Sequence, residues 1–139
     1  MARAKTVREH DIQTAILLTL GVEQYEIREY EDGSRRWCSL NVWLGDNGKI
    51  RLSRNNTGAT KTKSGGFVVY GLGKGGADIV GVVYGYPVAI EVKKPGEKQR
   101  PEQRAWQEDW ERAGGVYVVM TSQEQALELL SMVRTGRFE

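Results

Sequence analysis

The chain has only one cysteine and one histidine in its 139 residues. Because Cys38 has no second cysteine to pair with, a disulfide within the chain and a cysteine-based zinc site are both excluded. The lone His10 likewise argues against a metal site built from several histidines. No apolar run approaches membrane-spanning length, and the first residues lack the apolar segment of a signal peptide. We therefore expect a cytoplasmic protein that does not bind a membrane.

What is present is the composition of an ordinary soluble domain, with 40% hydrophobic and 27% charged residues. A chain of this length can bury a sizeable core. Neither an internal repeat nor a separate linker domain is visible. We therefore expect residues 1–139 to form a single domain.

Positive charge is concentrated between residues 49 and 77, a stretch without any acidic residue. Such a stretch suits the phosphate backbone of a nucleic acid, whose binding is largely electrostatic. The alternative is a solvated loop. On the first interpretation five basic residues contact nucleic-acid phosphates, with the polar Asn55 of the adjoining turn beside them: Arg51, Arg54, Lys61, Lys63 and Lys74.

The most informative segment runs from Lys74 to Gln103. Two β-rich runs, Ile79–Tyr84 and Val88–Lys93, flank a short Gly/Pro connection and predict an antiparallel hairpin. With Gly85-Tyr86 as a two-residue loop, the register follows by counting outward from the turn. A loop one residue longer would need a β-bulge to keep the same faces.

This register brings three charged side chains to one face of the hairpin. Asp78 would lie opposite Lys93 and diagonal to Glu91. Two neighbouring carboxylates repel each other, and a divalent cation such as Mg²⁺ supplies the missing positive charge. A cation at the phosphate, a polarised water and a nearby lysine are the parts of a phosphodiester hydrolase. The alternative is a solvated strand face, since a short motif of this kind is often accidental.

The residues on either side of this patch favour the catalytic interpretation. The glycines in Lys74–Ala77 let the backbone approach a ligand closely. Lys94-Pro95-Gly96 ends the second strand just after the lysine. The patch therefore belongs at the end of a strand.

The N-terminal part predicts a helix followed by a small β-meander. Thr6–Glu9 reads as a capping box, so the helix begins near residue 7 and ends at Gly21. Glu9 is then either the capping partner of Thr6 or a side chain that reaches the carboxylate patch. Three runs, Tyr25–Tyr30, Arg36–Leu44 and Lys49–Arg54, form the meander. Its tryptophans, Trp37 and Trp43, can serve as core, as an interface or as a platform for base stacking.

The C-terminal part predicts two further helices around a buried strand. Pro101 is expected at the first position of one helix, whose Gln103 points into the patch while Trp106 and Trp110 pack on the sheet. The buried strand is Val116–Met120. A last helix, capped at Ser122–Gln125, buries Ala126, Leu127, Leu130 and Val133. Together these elements predict an α/β or α+β fold, a mixed β-sheet flanked by helices.

Several of these residues match a known motif. Gly75-Gly76-Ala77-Asp78, Ile90-Glu91-Val92-Lys93 and Gln103 resemble the core of the PD-(D/E)xK nuclease superfamily. Glu9–Gln13 and Arg54–Gly58 narrow the resemblance to its virus-type replication-repair (VRR-NUC) family. It covers residues 5–21 and 49–130. Ala77 departs from the superfamily pattern, which often has proline before the aspartate.

The resemblance implies a restriction-endonuclease-like core with an extra N-terminal β-meander. Asp78 and Glu91 would bind Mg²⁺ or Mn²⁺, with the Val92 carbonyl as a further ligand. Lys93 would position or activate the attacking water, and Gln103 would support the site. Glu9 would contact the metal or one of its ligands.

From this we expect a divalent-metal-dependent DNA endonuclease of phage or bacterial replication or repair. Small members of the family resemble dimeric junction-resolving enzymes, so a homodimer acting on branched, Holliday-junction-like DNA is expected in the bacterial or phage-infected host cell. One alternative is a catalytically inactive nuclease-like fold that only binds DNA. Another is an RNA-cleaving enzyme with the same core.

Overall fold

The computed structural model describes residues 8–41, 44–56 and 58–136 of the chain. Thr6 and Trp43, which carried predictions above, lie outside these ranges, as does Thr57. Helices and strands follow one another in a mixed order. In the described part they are α1 (Glu9–Thr19), β1 (Glu23–Glu29), β2 (Arg35–Asn41), β3 (Ile50–Arg54), β4 (Gly58–Lys61), β5 (Phe67–Tyr70), β6 (Ile79–Val83), β7 (Tyr86–Val92), α2 (Pro101–Arg112), β8 (Val116–Met120) and α3 (Gln123–Arg134).

A four-stranded mixed sheet in the order β3-β6-β7-β8 forms the centre of the fold. β3, β6 and β7 are antiparallel, whereas β8 runs parallel to β7 and is reached through helix α2. A parallel neighbour needs a crossover of this kind, because a tight turn can only reverse the chain. The pairs β1-β2 and β4-β5 form separate two-stranded sheets. The predicted α+β class, a mixed sheet flanked by helices, is confirmed.

Strand β7 is buried from Val88 to Val92, and its two faces have different partners. Val88, Ile90 and Val92 belong to the apolar core, to which α1 and α3 contribute side chains such as Ile16 and Leu130. Because side chains alternate along a strand, Ala89 and Glu91 face the opposite side, toward α2. The sheet therefore separates an apolar core on one face from a polar site on the other.

The predicted β-meander is wrong in its third strand. β3 pairs with β6 over Ile50↔Val83 to Arg54↔Ile79 and so belongs to the main sheet. The reason is its pattern, since Ile50 and Leu52 are buried and enter the core. β1 and β2 form a hairpin on their own, in which Trp37 is 71% exposed. Core packing is therefore excluded for Trp37.

Helix α1 begins two residues later than predicted. Arg8 is the residue before its first turn, and its backbone and guanidinium both bind the carboxylate of Asp11. Glu9 is thus the first residue of the helix, which frees it from capping. The predicted end at Gly21 is confirmed, where a φ of 76° suits a residue without a Cβ.

Two details of the C-terminal part also differ from prediction. Ala126, Leu130 and Val133 of α3 are buried as predicted, but Leu127 is exposed and Leu129 takes its place. β8 is not fully buried, because it is the edge strand of the sheet and Val119 remains partly exposed. Within the described ranges, no helix is both long and apolar enough to cross a membrane.

Candidate active site

The β6-β7 turn sets the geometry of the site. Val83 pairs with Tyr86, so the two-residue loop is Tyr84-Gly85, one residue earlier than predicted. Both loop residues have positive φ, 50° and 84°, as a type I′ turn requires. This turn follows the right-handed twist of the strands and so fixes the register.

The corrected register exchanges the cross-strand partners of Asp78 but keeps its face. Ile79 pairs with Ile90, and continuing by one residue places Asp78 across from Glu91 and diagonal to Lys93. The predicted order was the reverse. A shift of two residues along the partner strand returns side chains to the same face, so the three groups still converge.

Asp78 is held on both its side chain and its backbone. The Val92 N–H donates to Oδ2 of Asp78 at 2.7 Å, and the Asn55 N–H donates to its carbonyl at 2.8 Å. The Asn55 amide also donates to the Ala77 carbonyl and accepts from the Leu72 N–H. Asn55 was predicted to bind DNA, but these contacts make it an anchor of the glycine loop.

The glycine loop packs against the first turn of α2. A Cβ on Gly75 would lie 2.3 Å from the Glu102 carbonyl, and one on Gly76 would lie 2.8 Å from Cβ of Leu72. These glycines therefore let the loop pack closely against other residues of the same chain. It holds the start of β6 beside the helix that carries Gln103.

Glu91 is 2% exposed, and each of its carboxylate oxygens accepts a hydrogen bond. Gln103 Nε2 donates to Oε1 at 2.9 Å, and the Tyr117 hydroxyl donates to Oε2 at 3.3 Å. Gln103 is itself fixed, because its Oε1 accepts the Arg100 N–H at the start of α2. The predicted position of Gln103 at the patch is confirmed.

Tyr117 was missed by the sequence analysis. It pairs with Ala89 in the parallel β7-β8 register, which places it on the face of Glu91. The only signal was the alternation within β8, and that signal becomes usable once the neighbouring strand is known. Burial raises the pKa of Tyr117 well above its ordinary value, so its hydroxyl remains a donor at neutral pH.

Asp78 and Glu91 are neighbouring carboxyl groups that cannot both ionise freely. Burial, and then the charge and hydrogen bond of Asp78, raise the pKa of Glu91 to about 8. Lys93, itself 5% exposed, opposes this rise. At neutral pH and without a cation, Glu91 therefore tends to keep a proton. A divalent cation can take the place of that proton.

Glu9 lies on the site side of α1, where it meets a carboxylate that the sequence analysis did not single out. Burial, followed by a hydrogen bond with Glu97, raises the pKa of Glu9. The charge of Lys93 opposes this rise, whereas the charge of Asp78 adds to it. Glu97 follows the Lys94-Pro95-Gly96 turn, and its Oε1 accepts the Lys94 N–H at 2.7 Å. Of the two interpretations of Glu9, the structure favours the one in which it faces the patch.

The ligand set suits magnesium better than a cation that needs many protein ligands. Among the described residues, no three His, Cys, Asp or Glu side chains are grouped as a metal centre. A contact of Glu9 with the metal or with one of its ligands therefore stays a prediction. Two carboxylates supplemented by water and phosphate oxygens are what Mg²⁺ commonly uses, so the residues present fit the ion. The Val92 carbonyl as a ligand stays a prediction.

Arg54 has a different role from the one predicted. Its Nε and Nη2 donate to the two carboxylate oxygens of Glu23 at 2.8 and 3.0 Å. The same guanidinium donates to Gln13 and Thr14 on α1. A side chain so engaged is not available to a phosphate, which corrects its assignment to DNA binding. It joins the end of β3 to α1 and to the start of β1.

The remaining basic residues of this stretch are exposed. Arg51 lies on β3, Lys61 ends β4, and Lys63 lies in the turn before β5. Lys74 precedes the glycine loop, four residues from Asp78. Their exposure is compatible with phosphate binding and equally with a solvated surface.

The chain was compared with protein-family models, with curated proteins and with solved structures. No family model matches it. No curated protein matches it. No solved structure matches it.

Proposed function

We propose that the chain is a divalent-metal-dependent DNA endonuclease of the VRR-NUC type. The observation that carries the proposal is the meeting of Asp78, Glu91 and Lys93 at one end of the β6-β7 hairpin. Two adjacent carboxyl groups, one of them 2% exposed, lower the free energy of unfolding, and groups of this kind cluster at functional sites. A hard divalent cation bound between them would offset their repulsion.

Each residue has a definable task. Bound Mg²⁺ or Mn²⁺ supplies Lewis-acid polarisation of the phosphate and charge neutralisation. Asp78 and Glu91 hold the ion, Asp78 being oriented by the Val92 N–H and Glu91 by Gln103. The Lys93 ammonium lies on the same face and close enough to act on the charge of Glu91. It positions the attacking water and stabilises the negative charge that develops on the phosphate.

The substrate is a nucleic acid, with Arg51, Lys61, Lys63 and Lys74 as the residues proposed to contact phosphates. Lys74 is the best placed of them, because the loop that carries it leads directly to Asp78. Arg54 and Asn55 are not included, since both serve internal contacts. Phage or bacterial replication or repair, in the cytoplasm of the host cell, is the proposed setting.

The proposal is tested by nicking of supercoiled plasmid while Mg²⁺ or Mn²⁺ is titrated. Cleavage should require the cation and be lost in Lys93→Met, which keeps the volume of the side chain and removes its charge. Arg112→Met, at an exposed position at the end of α2, is the matched control and should cut like wild type.

Three other results would contradict the proposal. Binding of DNA without cutting at any cation concentration would favour the inactive DNA-binding module. Preference for RNA in a parallel substrate panel would favour the RNA-cleaving enzyme. Cutting that persists in Lys93→Met would remove the lysine from the mechanism.

A further inference from the structure

A chain of hydrogen bonds leads from Glu91 to the outer side of α2. The Tyr117 hydroxyl donates to Glu91 and accepts a hydrogen bond from Gln99 Nε2 at 3.0 Å. The same Gln99 amide donates to Gln107 Oε1 at 3.0 Å, and Gln107 in turn donates to Glu111. Gln99 therefore donates in both directions, to Tyr117 and to Gln107. Because the Tyr117 oxygen accepts one of these bonds, its own proton is left free to point at Glu91.

The ring of Tyr117 and its hydroxyl have separate surroundings. The ring packs near Trp106, with 6.1 Å between ring centroids, and Trp106 stacks on Trp110 at 5.1 Å. Only the hydroxyl enters the polar network. Removing the oxygen alone should therefore leave the aromatic packing in place.

We propose that Tyr117, held by Gln99, is a positioning residue that fixes the Glu91 carboxylate for the divalent cation. Gln103 holds one oxygen of Glu91 and Tyr117 holds the other, so both hydrogen bonds oppose rotation of the carboxylate about the Cγ–Cδ bond. Each carboxylate oxygen has two lone pairs, so neither of these hydrogen bonds uses up the acceptor capacity of Glu91. Partners that orient a metal ligand in this way typically change metal affinity 10- to 100-fold when they are removed.

This inference rests on the proposed function, and the test separates the two. Mn²⁺ binding is measured by calorimetry, without DNA, on wild type, Tyr117→Phe and Gln99→Leu. Affinity should fall about 10-fold in Tyr117→Phe and by a smaller factor in Gln99→Leu, because the latter loosens the tyrosine without removing it. Gln99→Leu also provides the test if Tyr117→Phe does not fold.

Tyr84→Phe is the matched control, because it also removes a partly buried hydrogen bond from a tyrosine hydroxyl to a carboxylate. That bond joins Tyr84 to Asp46 at the opposite end of the hairpin. It should lower thermal stability without changing Mn²⁺ affinity. Unchanged affinity in both test variants, with wild type binding Mn²⁺ normally, would overturn the role of Tyr117 alone. Absence of Mn²⁺ binding by wild type would overturn the proposed function as well.

Discussion

Among single residues, Glu91 connects the stability of this fold to its chemistry. Its side chain is buried beside Asp78 and lies between two hydrogen-bond donors. Burial and the neighbouring carboxyl group favour its protonated form, whereas a bound cation favours the ionised one. The residue should therefore make stability depend on both pH and metal.

The sign of this dependence follows from the raised pKa. Glu91 has a pKa of about 8 in the folded chain against 4.5 for the ordinary group. Its contribution to folding is fully present below pH 4.5 and is lost as the pH rises through 8. In EDTA, the free energy of unfolding of wild type should thus fall between these values relative to Glu91→Gln, which does not titrate. Urea unfolding across this range measures the difference.

Addition of Mg²⁺ should restore wild-type stability at pH 8 and leave Glu91→Gln nearly unchanged. Groups that do not interact with Glu91 titrate alike in both proteins and cancel in the comparison. Parallel pH profiles for the two proteins would show that Glu91 ionises as an ordinary carboxyl group.

At the scale of elements, the contact between the glycine loop and α2 holds the two halves of the site together. Gly75 has a φ of 83° and faces the Glu102 carbonyl, whereas Gly73 has a φ of 82° and nothing within 4 Å of an added Cβ. The two glycines thus share the same left-handed backbone conformation, which would strain an alanine equally at both positions, and they differ in packing. They form a matched pair for substitution by alanine.

Gly73→Ala should cost about 1 kcal/mol, the penalty of a left-handed conformation. Gly75→Ala should cost about 3 kcal/mol or more, since the loop must also move away from α2. Because Asp78 is three residues away, cleavage by Gly75→Ala should fall more than its stability explains. Chemical denaturation and plasmid nicking measure both quantities, and equal effects of the two substitutions would contradict the packing role.

Arg54 joins three elements, and its replacement tests whether it is structural. Its side chain is 22% exposed and that of Glu23 is 9% exposed, so breaking the pair leaves a poorly solvated carboxylate. Arg54→Met should lower the free energy of unfolding by about 3 kcal/mol. DNA affinity, measured where the variant is fully folded, should stay near that of wild type. A loss of affinity with unchanged stability would return Arg54 to the phosphate-binding set.

The elements were more predictable than their pairing. Local signals such as Pro101 and Gly21 placed helix ends, and alternation placed Asp78, Glu91 and Lys93 on one face. Pairing depends on longer-range packing. Nothing local shows that β3 joins β6, nor that Arg54 meets Glu23, which is 31 residues away. Tyr117 was missed for the same reason, because its contact with Glu91 exists only through the parallel β7-β8 pair.

For the whole molecule, the expected action on branched DNA raises the question of how one site per chain could serve such a substrate. Resolving a four-way junction requires two symmetric cuts, whereas each chain carries one Asp78–Glu91 pair. Two-fold pairing of identical chains supplies two sites at a fixed spacing. We therefore expect a dimer at micromolar concentration that cuts four-way junctions in preference to linear duplex. Light scattering and a substrate panel test this, and a monomer that cuts both substrates equally would contradict it.

A divalent cation held between Asp78 and Glu91 is the central requirement of the proposed mechanism. Anomalous diffraction from crystals grown with Mn²⁺, at a concentration that supports cleavage, tests this most directly. The predicted result is a peak within coordination distance of both carboxylates that disappears in Asp78→Asn. A peak elsewhere, or no peak at that concentration, would contradict the account.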